Sequence, residues 1–186
     1  MRLSELKNQL ERNPVIAAVH EAQWEKALIA PPEIIFYLDA NLLTVQERIH
    51  QAHKAGKHIF VHMDLAEGIG KDKIGIRFLA NCGVDGIIST RAQLIRWAKE
   101  LNLLTVQRFF VLDSQGMDSI SEMLQSTVPH CMEIMPGVIS KAIRRFGEGS
   151  VPVIAGGLLE TKQEVTNALS CGAAAVSTSK EELWYL

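Results

Sequence analysis

Apolar runs recur along the chain at Val15–Val19, Ile34–Asp39, His58–Asp64, Gly86–Ser89, Thr105–Asp113, Cys131–Met135, Val151–Ala155 and Ala173–Val176. Between them the apolar positions change to helical spacing, as in Leu94, Trp97, Ala98 and Leu101, or Val165, Ala168 and Leu169. This is strand and helix in alternation, prefaced by a charged amphipathic helix over roughly residues 2–12. Continuous apolar runs, rather than alternating ones, belong to strands covered on both faces, as in a parallel sheet flanked by helices. Eight such units predict a compact (β/α)8 TIM-type barrel, an α/β fold of one domain spanning residues 1–186. Such barrels typically need about 250 residues, so the loops here must be short. Capping boxes at Thr44…Glu47, Thr90…Gln93, Ser119…Glu122, Thr161…Glu164 and Ser179…Glu182 mark the expected helix starts. The rival, an open nucleotide-binding sheet, would want G-x-G-x-x-G after the first strand, and Val19-His20-Glu21-Ala22 supplies none.

In a barrel the ligand meets the C-terminal ends of the strands, so the residues closing each run are the candidates. The last two units, within Val151–Glu182, end in Gly156-Gly157 and Ser177-Thr178-Ser179. Small residues let backbone N–H groups approach an anion, and a helix start at Ser179 would add its partial positive charge. Gly156, Gly157, Thr178 and Ser179 are therefore the expected phosphate-binding residues; ordinary tight turns and caps are the alternative. On the third run Phe60, His62 and Asp64 share one side, and Ile59, Val61 and Met63 take the other, more apolar side. That turns His62 and Asp64 towards the barrel interior and its mouth. Glu133 lies inside the apolar run Cys131–Met135, where an unpaired charge is too costly to keep. Arg108 is its candidate partner in a structural pair; otherwise Glu133, with His62 and Asp64, receives the hydroxyls of a bound polyol.

Composition narrows the classes. A formal charge of −2 with 6% aromatics gives no general affinity for nucleic acid, so any RNA contact would be local. Basic residues gather at Arg91, Arg96 and Lys99 and at Lys141, Arg144 and Arg145, either as solvated helix faces or as patches for RNA phosphates. Cys82, Cys131 and Cys171 have no CxxC pairing and read as buried fillers in a reducing compartment. There is no secretory leader and no membrane-length apolar run, which points to a cytoplasmic protein without membrane contact. His50 and His53, with Glu47 and His58 near, read as a solvated face rather than a metal site. No nucleophile triad, Walker loop or barrel-strand lysine is present.

Several segments carry a further signal: His62-Met-Asp-Leu65, Gly86-Ile-Ile-Ser-Thr-Arg91, Gln107-Arg-Phe-Phe-Val-Leu-Asp-Ser114, Glu133-Ile-Met-Pro-Gly137, Ile154-Ala-Gly-Gly-Leu158, Val176-Ser-Thr-Ser179 and Leu183-Trp184. Together, across essentially the whole chain, they resemble the glycerol-3-phosphate-responsive antiterminators, regulators of bacterial glycerol uptake operons. The resemblance implies a non-enzymatic barrel with no catalytic residue and no cofactor. It also implies glycerol 3-phosphate as regulatory ligand and the leader mRNA of a glycerol operon as partner, bound to prevent transcription termination. Arg91, Lys141, Arg144 and Arg145 are the candidate RNA contacts, and homo-oligomerisation is left open. Two alternatives stand beside it. One is a barrel isomerase or lyase acting on a small phosphate ester, with Glu133 or Asp64 as base; the other is a phosphate-binding barrel that works through a protein partner.

Overall fold

A computed structural model describes residues 1–186. Its strands are β1 (Val15–Val19), β2 (Ile34–Tyr37), β3 (His58–His62), β4 (Gly86–Ser89), β5 (Leu104–Phe110), β6 (Cys131–Met135), β7 (Val153–Gly156) and β8 (Ala175–Thr178). Its helices are α1 (Leu3–Arg12), α2 (Trp24–Ile29), α3 (Val45–Lys54), α4 (Lys73–Asn81), α5 (Ala92–Glu100), α6 (Ser114–Thr127), α7 (Ser140–Gly147) and α8 (Lys162–Ser170), with 3-10 turns at Glu21–Gln23 and Glu181–Tyr185. All strand pairs are parallel, in chain order, and β8 closes onto β1. The expected barrel is present. The runs overshot at the ends of β2, β3 and β5, where Asp39, Asp64 and Asp113 belong to the loops. They began too early at β7 and β8, because Pro152 has no N–H to place in a ladder and Gly172 turns the chain at φ +104°.

Helix capping corrects the sequence reading more sharply. Of the five expected boxes only one forms: Thr161 Oγ1 accepts from the Glu164 amide at 3.2 Å while Glu164 Oε2 accepts from the Thr161 amide at 2.9 Å. Thr44 makes no side-chain cap bond. Thr90 gives its hydroxyl to Asp64, and Ser119 sits inside α6, whose true cap is Asp113. Ser179 precedes a turn capped at Lys180. Spacing alone cannot tell a free hydroxyl from one already engaged by a tertiary partner. Thr161→Ala should therefore destabilise the protein by about 1 kcal/mol, and Thr44→Ala by much less, when urea midpoints are compared.

The core has two layers. A cluster that includes Ile59, Val61 and Met63 fills the space between sheet and helices. A second cluster of 13 residues fills the barrel itself, among them Ile16, Phe36, Phe60, Val106, Cys131 and Ala175. Leu6 and Leu10 of α1 belong to this inner cluster and close the N-terminal end of the barrel. Phe60 fits because position 86 is glycine; a Cβ there would sit 2.3 Å from the Phe60 ring. Two residues further along the same inward faces, Phe60 gives way to His62, Val106 to Arg108, Cys131 to Glu133 and Ala175 to Ser177. A polar layer thus lies directly on an apolar one, below the C-terminal mouth.

Candidate functional site

Within that polar layer, Arg108 donates its Nε to Glu133 Oε2 at 2.5 Å, and Ser177 donates its hydroxyl to Glu133 Oε1 at 2.5 Å. Glu133 is 1% exposed and Arg108 8%. A carboxylate so deep in the barrel is tolerable because both of its oxygens accept charge-assisted or hydroxyl bonds. The structural pair expected for Glu133 exists, and its members also line a cavity of about 280 Å³ that opens at the C-terminal end. Gly156 makes the arrangement sterically feasible: a Cβ there would lie 2.5 Å from Glu133 Oε1 and 2.6 Å from Ser177 Oγ. Gly156 itself does not line the cavity.

The loops after β7 and β8 form the cavity's other wall, with Gly157, Leu158, Leu159, Thr178, Ser179 and Lys180. Gly157 and Leu158 both take left-handed backbone, at φ +73° and +57°. That conformation costs little for glycine and more for leucine. The amides of Gly157, Leu158, Leu159 and Ser179 donate to no protein acceptor. The Thr178 hydroxyl, in contrast, is engaged: it donates to the Leu159 carbonyl at 3.1 Å and accepts from the Lys180 amide at 3.1 Å. Thr178 therefore ties the two loops together. Trp184 holds the following turn by donating Nε1 to the Thr178 carbonyl at 2.8 Å. That turn is a five-residue 3-10 helix, so its dipole contributes less than the α-helix start expected at Ser179.

The remaining candidates fall elsewhere. His62 is 4% exposed, and neither ring nitrogen has a protein partner. Burial pushes its pKa down to about 4, helped by the Arg108 charge and opposed by Asp64 and Glu133. It sits in the polar layer but is not among the residues lining the cavity. Asp64 accepts from the Thr90 amide at 2.7 Å, the Thr90 hydroxyl at 3.0 Å and the Ser89 hydroxyl at 2.9 Å, which pins the loop after β4. Burial raises its pKa, yet these bonds outweigh burial and hold the carboxyl below its usual value. Arg91 approaches Asp64 at 3.6 Å. Lys141 and Arg144 are exposed on α7, and Arg145 pairs with Asp118 at 2.6 Å. Arg91, at the N-cap of α5, and the α7 residues are thus two separate basic groups, with α6 between their helices in chain order. His53 and His58, expected on a solvated face, instead converge on buried Asp85 at 2.9 and 3.1 Å. Lys180 and the amides of Leu158 and Leu159 were missed; the only available signal was their position one or two residues beyond the recognised turns.

Comparison with known proteins adds three findings. The family model described as "Glycerol-3-phosphate responsive antiterminator" matches residues 15–184. An uncharacterised protein of Escherichia coli K12, YgcP, is 34% identical over 97% of this chain and 96% of its own length. Among solved structures, the glycerol uptake operon antiterminator regulatory protein of Listeria monocytogenes superposes with a TM-score of 0.86 at 34% identity, covering 91% of this chain and 94% of that one. A glycerol uptake operon antiterminator-related protein of Thermotoga maritima gives 0.84 at 30% identity, covering 92% and 98%. Aldolases and a 2-epimerase at 8–12% identity share the fold alone.

Proposed function

The chain belongs to the glycerol-3-phosphate responsive antiterminator family, and from that premise we propose that it binds glycerol 3-phosphate in the β7–β8 cavity and, so loaded, acts on leader RNA in the cytoplasm to prevent transcription termination. The observation that carries the ligand half is that Gly157, Leu158, Leu159 and Ser179, whose backbone amides have no protein acceptor, line one cavity with Lys180, Arg108 and Glu133. Backbone donors plus one ammonium suit a phosphate. The hydroxyls of the ligand then lie towards Glu133 and Arg108, the members of the polar layer that line the cavity. Asp64 orders the neighbouring mouth rather than reaching the ligand.

For the RNA half the support is the family, together with exposed Arg91, Lys141 and Arg144. Ligand binding raises the RNA-competent population only if that state holds glycerol 3-phosphate more tightly. A catalytic reading has less support. Glu133 and Asp64, the bases it would need, are both held by protein donors, Glu133 by Arg108 and Ser177 and Asp64 by Ser89 and Thr90, which favours their ionised, hydrogen-bonded forms over proton abstraction.

Calorimetric titration with glycerol 3-phosphate, glycerol and sulfate tests the pocket. Binding of the ester with neither fragment matching it supports the reading, and equal binding of sulfate removes it. Lys180→Ala should weaken the ester about tenfold without changing thermal stability, since it deletes one charge-assisted contact at the surface. Labelled leader RNA that binds equally with and without saturating ester would remove the ligand-gated half.

A further inference from the structure

Three side chains of the cavity lining are joined in one run of hydrogen bonds. The Ser177 hydroxyl donates to Glu133 Oε1 and Arg108 Nε donates to Glu133 Oε2, each at 2.5 Å, and all three residues line the cavity. These bonds decide what each group has left to offer a ligand. Ser177 has given its one proton to Glu133, so its oxygen can meet a ligand only as an acceptor. Glu133, paired with a guanidinium, is a carboxylate with lone pairs to spare and no proton to give. Arg108 keeps its two terminal nitrogens, which have no protein acceptor and, unlike the ring nitrogens of His62, are not sealed from solvent.

We propose that Glu133 and Ser177 make the site selective for hydroxyl protons, so that it takes a three-carbon phosphate ester with both hydroxyls intact and rejects the ester whose middle hydroxyl is oxidised to a ketone. The inference rests on the phosphate reading above and adds the oxidation level of the ligand. A hydroxyl both gives and takes: its proton goes to Glu133 or Ser177 while its oxygen accepts from an Arg108 terminal N–H. A carbonyl oxygen satisfies Arg108 alone. It sets its own lone pairs against those of Ser177 and Glu133, which at 3% and 1% exposure have little water to relieve the mismatch. Two acceptor groups match the two hydroxyls of glycerol 3-phosphate, and loss of either proton leaves one acceptor facing no donor. Buried polar groups left unpaired in this way are how a binding site turns away an analogue of nearly the same shape.

The test is competition calorimetry with glycerol 3-phosphate, the ketone dihydroxyacetone phosphate, and propyl phosphate, which has no oxygen beyond the ester. The ketone and propyl phosphate should each bind at least about tenfold more weakly than glycerol 3-phosphate. Either of them binding within tenfold of the alcohol overturns the inference while leaving the phosphate reading intact. Failure of all three to bind removes that reading, and the inference with it. Glu133→Gln then tests the residue: the amide keeps the size of the side chain, puts an N–H2 donor in place of one acceptor oxygen, and can release the Ser177 proton towards the ligand. In that variant the ratio of alcohol to ketone affinity should fall at least about fivefold, whatever happens to the affinities themselves. A merely structural role for Glu133 would weaken both ligands alike, so an unchanged ratio in a folded Glu133→Gln protein contradicts the role given to it. The three-ligand series is measured on the parent protein and decides the selectivity even where that variant does not fold.

Discussion

Glu133→Leu should destabilise the protein by about 3–5 kcal/mol, the largest loss expected from any single substitution in the barrel interior. The leucine fills similar volume, so the loss comes from electrostatics. Arg108 stays charged at 8% exposure with its Nε partner gone, and the Ser177 hydroxyl loses its acceptor. For a chain of this size that is a fall in melting temperature of roughly 6–20 °C. Arg108→Leu made together with Glu133→Leu should recover most of it, because replacing a buried ion pair by apolar groups is often neutral. Urea unfolding of the two single variants and the double variant, closed into a thermodynamic cycle, measures the coupling. If the two losses simply add, the pair is not coupled and the account of the polar layer is wrong. The double variant should fold yet lose affinity for the ligand, which separates the stabilising role of the pair from its place in the cavity floor.

How much of this was readable beforehand differs between layers. The closed barrel was legible because eight buried parallel strands leave eight uninterrupted apolar runs, and the helix-facing set Ile59, Val61 and Met63 followed from a period of two. Glu133 stood out because a carboxylate within Cys131–Met135 has no cheap explanation, and Arg108 was the nearest apolar-strand cation to answer it. Ser177 had been grouped with the phosphate turn, although alternation from Ala175 turns it inward to Glu133. Gly156 had been assigned to backbone approach, whereas its missing Cβ makes room for the Glu133–Ser177 contact. These are three-body facts: β6, β7 and β8 must be in register before they exist. The amides of Leu158 and Leu159 carry no sequence signature, because an N–H donor is common to every residue except proline and only the fold decides which are free.

Acidification should expose His62 through stability alone. Its folded pKa is about 4 against 6.5 for the unconstrained ring, so between those values the unfolded chain binds the proton that the folded chain refuses. The sign follows: the stability contributed by keeping His62 neutral is fully present above pH 6.5 and is lost as pH falls towards 4. About 2.5 pH units at 1.36 kcal/mol each amounts to roughly 3 kcal/mol. Asp85 is also held below its usual value, by bonds from His58, the Ile59 amide and His53 that outweigh burial, but its contribution is lost only as pH falls below the ordinary carboxylate range. The two windows therefore separate. His130, depressed mainly by burial, acts in the same window as His62, so the parent slope contains both. Comparing parent with His62→Phe by urea unfolding at pH 7, 6, 5 and 4.5 isolates the one ring, and the variant should be the flatter of the two across that range. Parallel curves would mean that His62 finds a partner for its charged form when it is protonated.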